Sequence, residues 1–429
     1  MKREITEIKS EAIGERYYTY RHKSGLRVFV IPKDFSTSYA ILATKYGSIE
    51  KTFRRKGDED FITVPSGVAH FLEHKLFEEE DGSDAFLKFA PFGASANAYT
   101  TFDETAYLFS CTDNFEASLR VLLSFVTHPH FTEENVKKEQ GIIGQEIGMC
   151  EDKPSNRLYY STLQGMYEKH TVRENICGSV ASIAAITPEI LYRCYRTFYH
   201  PSNMVLCVVG NTSIDTVTDA VDELIPDTAP IEIETISAEE GENVSAERIE
   251  CKMPVSRPEF MIGIKDKPLS DEHAAMKRAV AFDILFDLLF SKSADLYTEL
   301  YDAGLISHEL STDYSYGSGY AHAMISGSSD KPDEVYRRIT EAVRNAKNAP
   351  PSEQDFERAR RALYADSIRM FDSVEELGDS FTSLALTNCD VFDLLSTIES
   401  ISYNDVLSLL EQIFLPQRTT FSVIMPIDG

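Results

Sequence analysis

The chain has 429 residues, enough for two domains of about 200 residues each rather than one. Hydrophobic content of 43% with 11% aromatics suits a folded globular protein, and no run of about 18 apolar residues is available to span a membrane. A formal charge of −27 argues against a nucleic-acid or anionic-membrane partner, and seven scattered cysteines without a C-x-x-C pair argue against disulfides and a cysteine zinc site.

The opening residues, Met1 to Glu11, have neither the apolar core of a signal peptide nor the acid-poor character of a transit peptide, so a reducing cytoplasm is the expected location. After this polar opening, Ser24-Gly25 turns into a strand, Leu26 to Ile31, ended by Pro32. Tyr39 to Lys45 is a second strand, and a charged loop from Lys51 to Asp60 follows it.

The stretch Gly67-Val-Ala-His70-Phe-Leu-Glu73-His74-Lys-Leu-Phe77 comes next. On a helix His70 and His74 lie one turn apart and point the same way, so both imidazoles can reach one metal ion at about 2.0–2.1 Å. Glu73 stands about 60° from His70 on the helical wheel and flanks the pair, within reach of a water at the metal. Val68, Ala69, Phe71, Leu72, Leu76 and Phe77 are the residues that would bury this helix. The order H-x-x-E-H is the reverse of H-E-x-x-H and belongs among zinc peptidase signatures.

Phe92 to Thr101 is small and polar around Tyr99 and reads as an edge strand, whose open backbone also suits pairing with an extended peptide. Thr105 to Thr112 is a further strand, and Asn114 stands as the N-cap of an amphipathic helix carrying Phe115, Leu119, Leu122, Leu123 and Val126. Thr132 opens a helix to about Cys150, on which Glu139 and Glu146 are seven apart and share a face. Val136, Ile143 and Ile147 border that face, so both carboxylates sit at the edge of a buried stripe, where a cation would explain them. Gly141, Gly144 and Gly148 line the opposite side and predict that another element packs closely there.

Thr187-Pro188-Glu189 starts another capped helix, and Tyr199-His-Pro-Ser-Asn203 leads into the strand Met204 to Val209. From Pro226 to about Glu250 the chain is acidic and without period, which makes residues 226–250 a linker between a first domain, 1–225, and a second, 251–429. The second half repeats the first weakly: Phe198-x-x-Pro201 before Val205-Leu-Cys-Val-Val matches Ile413-x-x-Pro416 before Thr420-Phe-Ser-Val-Ile, at an offset of 215. The strand Glu259 to Lys265 and the helix Glu272 to Phe290 parallel the first half's strand and metal helix, without any histidine at the equivalent turn, Phe282 to Phe290.

Taken together, the H-x-x-E-H segment, Gly93 to Thr100 with Asn97-Ala98-x-Thr100, Glu139-x6-Glu146-Ile147 and Tyr199-His-Pro-x-Asn203-Met204 resemble the pitrilysin/insulinase family of zinc peptidases, across nearly the whole chain. The short bacterial members, half the length of insulinase, are the most similar subgroup. The resemblance implies an α+β protein of two homologous α/β domains, each a mostly antiparallel sheet backed by helices. It implies that His70, His74 and Glu146 ligate Zn2+, that Glu73 is the general base, and that Glu139 orients the site. Asn97, Ala98 and Thr100 would hold a peptide substrate by strand addition. Paired half-chains would enclose a chamber that admits peptides or unfolded segments, so a zinc-dependent endopeptidase subunit is expected, with a non-catalytic structural or peptide-binding subunit as the alternative.

Active members of the family carry an Arg and, seven residues later, a Tyr around a Gly-Leu turn of the second domain. The corresponding stretch here, Glu299 to Leu310 around Gly304-Leu305, has no Arg, and Ser307 falls near the expected Tyr, with Tyr301 and His308 as the only stand-ins. A heterodimer with a homologous subunit that lacks H-x-x-E-H and supplies the Arg and Tyr is therefore expected, with a homodimer as the other arrangement.

Overall fold

The computed structural model describes residues 3–427. Its strands are β1 (Ile5–Ser10), β2 (Glu15–Arg21), β3 (Arg27–Pro32), β4 (Ser38–Thr44), β5 (Thr52–Arg55), β6 (Ile62–Thr63), β7 (Ser95–Thr100) and β8 (Thr105–Cys111). They continue as β9 (Met204–Gly210), β10 (Ile233–Thr235), β11 (Arg248–Met253), β12 (Glu259–Lys265), β13 (Ser311–Gly317), β14 (Tyr320–Ser328) and β15 (Thr419–Pro426). One sheet runs β1-β2-β3-β9-β4-β8-β7, a second runs β11-β15-β12-β14-β13, and β10-β5-β6 make a small third. Every neighbouring pair in the two large sheets is antiparallel except β3 with β9 and β11 with β15. The expected class, mixed α/β domains with mostly antiparallel sheets, is what forms.

The repeat seen in the sequence is a structural one. β15 begins 215 residues after β9, and each is preceded by a 3-10 turn started by a proline, Pro201–Asn203 and Pro416–Arg418. Each takes a parallel partner on one side and an antiparallel one on the other. The first sheet adds a β1–β2 hairpin that the polar opening did not announce. Tyr17 and Tyr20, three residues apart and so on opposite faces of β2, are both buried and seat it from either side.

The chain forms two compact units, and neither is a contiguous stretch. The first comprises the chain up to Ile147, Asn175–Ile236 and Ile368–Phe392; the second comprises Gly148–Glu174, Ser237–Ser367 and the chain from Asp393. These differ from the expected 1–225 and 251–429 because each sheet is backed by a helix from the other half of the sequence. The helix Pro154–Met166 packs on β12 and β15, and the helix Val374–Leu386 packs on β9 and β4. A glycine makes each approach possible. A Cβ at Gly165 would stand 2.5 Å from Thr420 Oγ1, and one at Gly378 would stand 2.5 Å from Tyr39 Cδ1. Composition marks charge and turns but not which sheet a helix will cover, so this exchange left no trace in it.

Close packing is absent where the glycine stripe predicted it. A Cβ at Gly141, Gly144 or Gly148 would meet nothing within 4 Å. That side of the helix Glu133–Glu151 is exposed, with Ile142 and Met149 beside the glycines. Asn114 does occupy the N-cap position of the helix Phe115–Thr127, but at φ 54° its side chain makes no capping bond.

The acidic segment 226–250 is also more than a tether. β10 pairs with β5, and β11 joins the second sheet. Within the second unit Glu240 accepts hydrogen bonds from the backbone N–H groups of Glu168, Lys169 and His170 at 2.7–3.1 Å. Its Oε1 also takes the Nζ of buried Lys265 at 2.8 Å. Burial works against the Glu240 carboxylate, but Lys265 and the three N–H groups outweigh it and lower its pKa to about 2.

Candidate metal centre

The site is built on the helix Val68–Leu76, between β4 and β7 in the chain. Val68, Ala69, Phe71, Leu72 and Leu76 are buried in the first unit's core, which leaves His70, Glu73 and His74 on the remaining side. The helix starts at Gly67 with φ 93° and no side-chain cap. A Cβ there would lie 2.6 Å from the Cys177 carbonyl oxygen, so glycine is required by that approach as well as by its φ.

The His70 and His74 rings stand one turn apart, tilted 56° to one another, with centroids 4.6 Å apart. Glu146, from the helix Glu133–Glu151, faces both: Oε1 is 3.6 Å from His70 Nε2 and Oε2 is 3.6 Å from His74 Nε2. Around a tetrahedral zinc, nitrogen and oxygen donors stand about 3.3 Å apart, so each imidazole is spaced from a Glu146 oxygen much as a co-ligand would be. The two contacts use different oxygens, however, and the group of ligand atoms within 4.8 Å of one another here is His70, Glu146 and Cys177, without His74. Glu139, two turns earlier on the same helix, places Oε1 3.0 Å from His74 Nδ1. That contact puts the imidazole proton on Nδ1 and leaves the Nε2 lone pair facing Glu146.

Charge balance at this spot explains a residue that sequence reasoning passed over. Lys75 is fully buried; its Nζ contacts Glu78 and lies 3.9 Å from Glu139 Oε2. It offsets the buried Glu139, which is 7% exposed. Burial disfavours the His74 imidazolium, yet the hydrogen bond to Glu139 and the charges of Glu139, Glu73 and Glu146 outweigh it, so its pKa is raised.

Glu73 is oriented from the edge strand. Thr100 Oγ1, at the end of β7, donates to Glu73 Oε2 at 2.6 Å. Thr100, expected to contact substrate, thus holds the candidate base. Tyr107 and Tyr199 hydrogen-bond through their hydroxyls at 2.9 Å; burial, and more weakly the Glu73 charge, push both pKa values up. β7 is the last strand of its sheet, and Asn97 on it is exposed. The Asn97 Oδ1 accepts from the Ala98 N–H at 2.9 Å, a bond that a peptide adding at this edge would replace.

A further residue was missed. Cys177 Sγ lies 3.8 Å from His70 Nε2 and, with His70 and Glu146, forms a group whose ligand atoms are all within 4.8 Å of one another. No C-x-x-C or His spacing marks it, because it arrives from a distant loop.

In the second unit, the turn expected to carry substrate contacts has Gly304 at φ 66° followed by buried Leu305. Tyr301 is 52% exposed and stacks on Tyr297, and His308 Nδ1 lies 3.0 Å from Ser307 Oγ. An arginine does reach this turn from another segment: Arg257 Nη1 donates to Ser307 Oγ at 3.3 Å.

Two family profiles match this chain. Residues 64–179 match the insulinase profile, peptidase family M16, and residues 185–363 match the profile of the M16 inactive domain. The chain is 39% identical to the uncharacterized zinc protease YmfH of Bacillus subtilis over 427 residues, covering 98% of this chain and 99% of YmfH. It superposes on an M16-like peptidase structure from Alicyclobacillus acidocaldarius with a TM-score of 0.93 at 32% identity, covering 98% of this chain and all of that one. A protease from Helicobacter pylori shares the fold, with a TM-score of 0.82 at 18% identity over 96% of this chain and all of that one.

Proposed function

Because the chain belongs to the insulinase family of zinc peptidases, family M16, we propose that it is a zinc-dependent endopeptidase subunit acting on peptides or unfolded segments. The observation that carries this reading is the meeting of Glu146 with His70 and His74, beside a Glu73 tethered to the sheet edge. His70, His74 and Glu146 are the residues that would hold zinc, and Glu139 sets the His74 tautomer. Zinc held there would supply Lewis-acid polarisation of the scissile carbonyl and make water acidic enough to attack near neutral pH.

The chain's own residues do the rest. An extended peptide adds to β7 through backbone hydrogen bonds, which brings its scissile bond alongside Glu73. Glu73, held by Thr100, accepts a proton from the attacking water and returns it to the leaving amine. The turn Phe282–Phe290 of the helix Glu272–Phe290 carries no histidine, so this helix has no counterpart of the H-x-x-E-H segment.

The reading extends to assembly and place. A homologous partner that lacks H-x-x-E-H would complete an enclosing chamber and supply the substrate contacts missing from Glu299 to Leu310; Arg257 beside Ser307 is the feature that favours a homodimer instead. No helix among the described residues is long and apolar enough to cross a membrane, which is consistent with a cytoplasmic protein.

The test is zinc content measured together with peptide cleavage, for the chain alone and with its candidate partner. Wild type should bind about one zinc per chain. Glu73→Gln should keep the zinc and lose cleavage by about 10²–10⁴-fold, whereas His70→Ala should lose the zinc. Full cleavage by Glu73→Gln overturns the mechanism, and full cleavage by the chain alone, unaffected by the partner, overturns the heterodimer.

A further inference from the structure

Cys177 stands in a built position. The N–H of Cys177 donates to Asn175 Oδ1 at 2.9 Å, and the N–H of Gly178 donates to the Asn175 carbonyl at 2.8 Å. Two glycines at positive φ lock this turn against the start of the histidine helix. A Cβ at Gly67 would strike the Cys177 carbonyl at 2.6 Å, and one at Gly178 would strike the Ser66 carbonyl at 2.6 Å. The result is a buried thiol fixed beside His70, itself only 8% exposed, with Sγ 3.8 Å from Nε2.

That separation has a chemical meaning. With metal–nitrogen and metal–sulfur bonds of about 2.05 and about 2.3 Å, tetrahedral donors lie about 3.6 Å apart. Cys177 Sγ is 3.8 Å and Glu146 Oε1 is 3.6 Å from the same His70 nitrogen, so thiol and carboxylate are both spaced as co-ligands of one ion. Peptidase chemistry needs three protein ligands and an open fourth position; four protein ligands close a zinc site.

We propose that Cys177 is a fourth, displaceable ligand that closes the metal centre in the resting chain. This rests on the zinc reading given above. Closure makes the subunit latent, and release of the sulfur admits water and substrate. A serine at 177 cannot form the metal–thiolate bond, so it leaves the centre open.

The experiment uses the full chain loaded with Co2+, whose thiolate bond gives a charge-transfer absorption in the near ultraviolet. Wild type should show that band and Cys177→Ser should not. Zinc should slow iodoacetamide alkylation of Cys177, followed by peptide mapping of the wild-type chain, by about tenfold or more. Cys177→Ser should bind Co2+ at least about tenfold more weakly and, with zinc restored, start cleaving peptide faster. Cobalt bound without the band, together with unchanged alkylation of Cys177, overturns the thiol ligand and leaves the peptidase reading intact. Failure of wild type to bind either metal overturns both.

Discussion

β3-β9-β4-β8-β7 and β11-β15-β12-β14-β13 are the same five-stranded arrangement. In each, the first helix after the middle strand packs against the sheet, directly after β12 in the second unit and after the short β5 and β6 in the first. In the second unit that helix has 19 residues, begins with Asp271 Oδ1 accepting from the Ala274 N–H at 2.7 Å, and buries Phe282, Leu285 and Phe286. In the first it has nine residues, begins at an uncapped glycine, and carries His70, Glu73 and His74 beside its apolar face. A side-chain cap contributes about 1 kcal/mol, which the first helix forgoes so that the Cys177–Gly178 turn can lie against it. The contrast teaches that the fold requires only an apolar stripe at this place, and that the chemistry sits in positions the stripe leaves over.

The largest structural effect expected lies in the unit without a site. Glu240→Gln leaves the buried Lys265 ammonium without its counter-charge and should cost about 3 kcal/mol in a denaturant titration. The sign with pH follows from the depressed pKa. The carboxylate's contribution is complete above its unfolded value of about 4.3, and it is lost as pH falls toward about 2. The variant should therefore lose less stability than wild type between those pH values. An equal loss would show that the polar anchor of the second unit does not matter.

Glu139→Gln tests the first unit on the same footing. The amide cannot match the charge that holds His74 Nδ1, so zinc affinity should fall by about 10–100-fold, measured by competition with a chelating dye. Unchanged affinity would mean that His74 is oriented by its helix alone.

Two glycine substitutions then separate close contact from open surface. Gly378→Ala drives a methyl into Tyr39 and should destabilise by about 1–3 kcal/mol. Gly144→Ala meets no neighbour and should stabilise by about 0.5–1 kcal/mol through helix propensity. Melting temperatures moving in the same direction would break the distinction.

What could be read from the chain depended on whether the signal was local. The helix of His70 and His74, the shared face of Glu139 and Glu146, and the repeated strands β9 and β15 follow from periods of a few residues, and the structure has these elements within a residue or two. Cys177 and Lys75 escaped notice because their importance comes from what stands opposite them: a histidine 107 positions away and a carboxylate 64 positions away. The stripe of Gly141, Gly144 and Gly148 misled for a related reason. Glycines permit close approach without requiring it, and the ones that do receive a neighbour, Gly165 and Gly378, stand alone in their helices.

The exchange of helices sets a timetable for folding. β4 and β9 are made early, but the helix that covers them, Val374–Leu386, leaves the ribosome more than 160 residues after β9. Until then Tyr39 and Val209 have no Gly378 to pack against, and the first unit's sheet presents a bare apolar face. Contacts so distant in sequence close slowly because a long loop must be ordered before they form. A fragment ending near residue 225 would therefore carry every proposed zinc ligand and still be prone to aggregate, and adding back a peptide containing 368–392 should rescue its solubility.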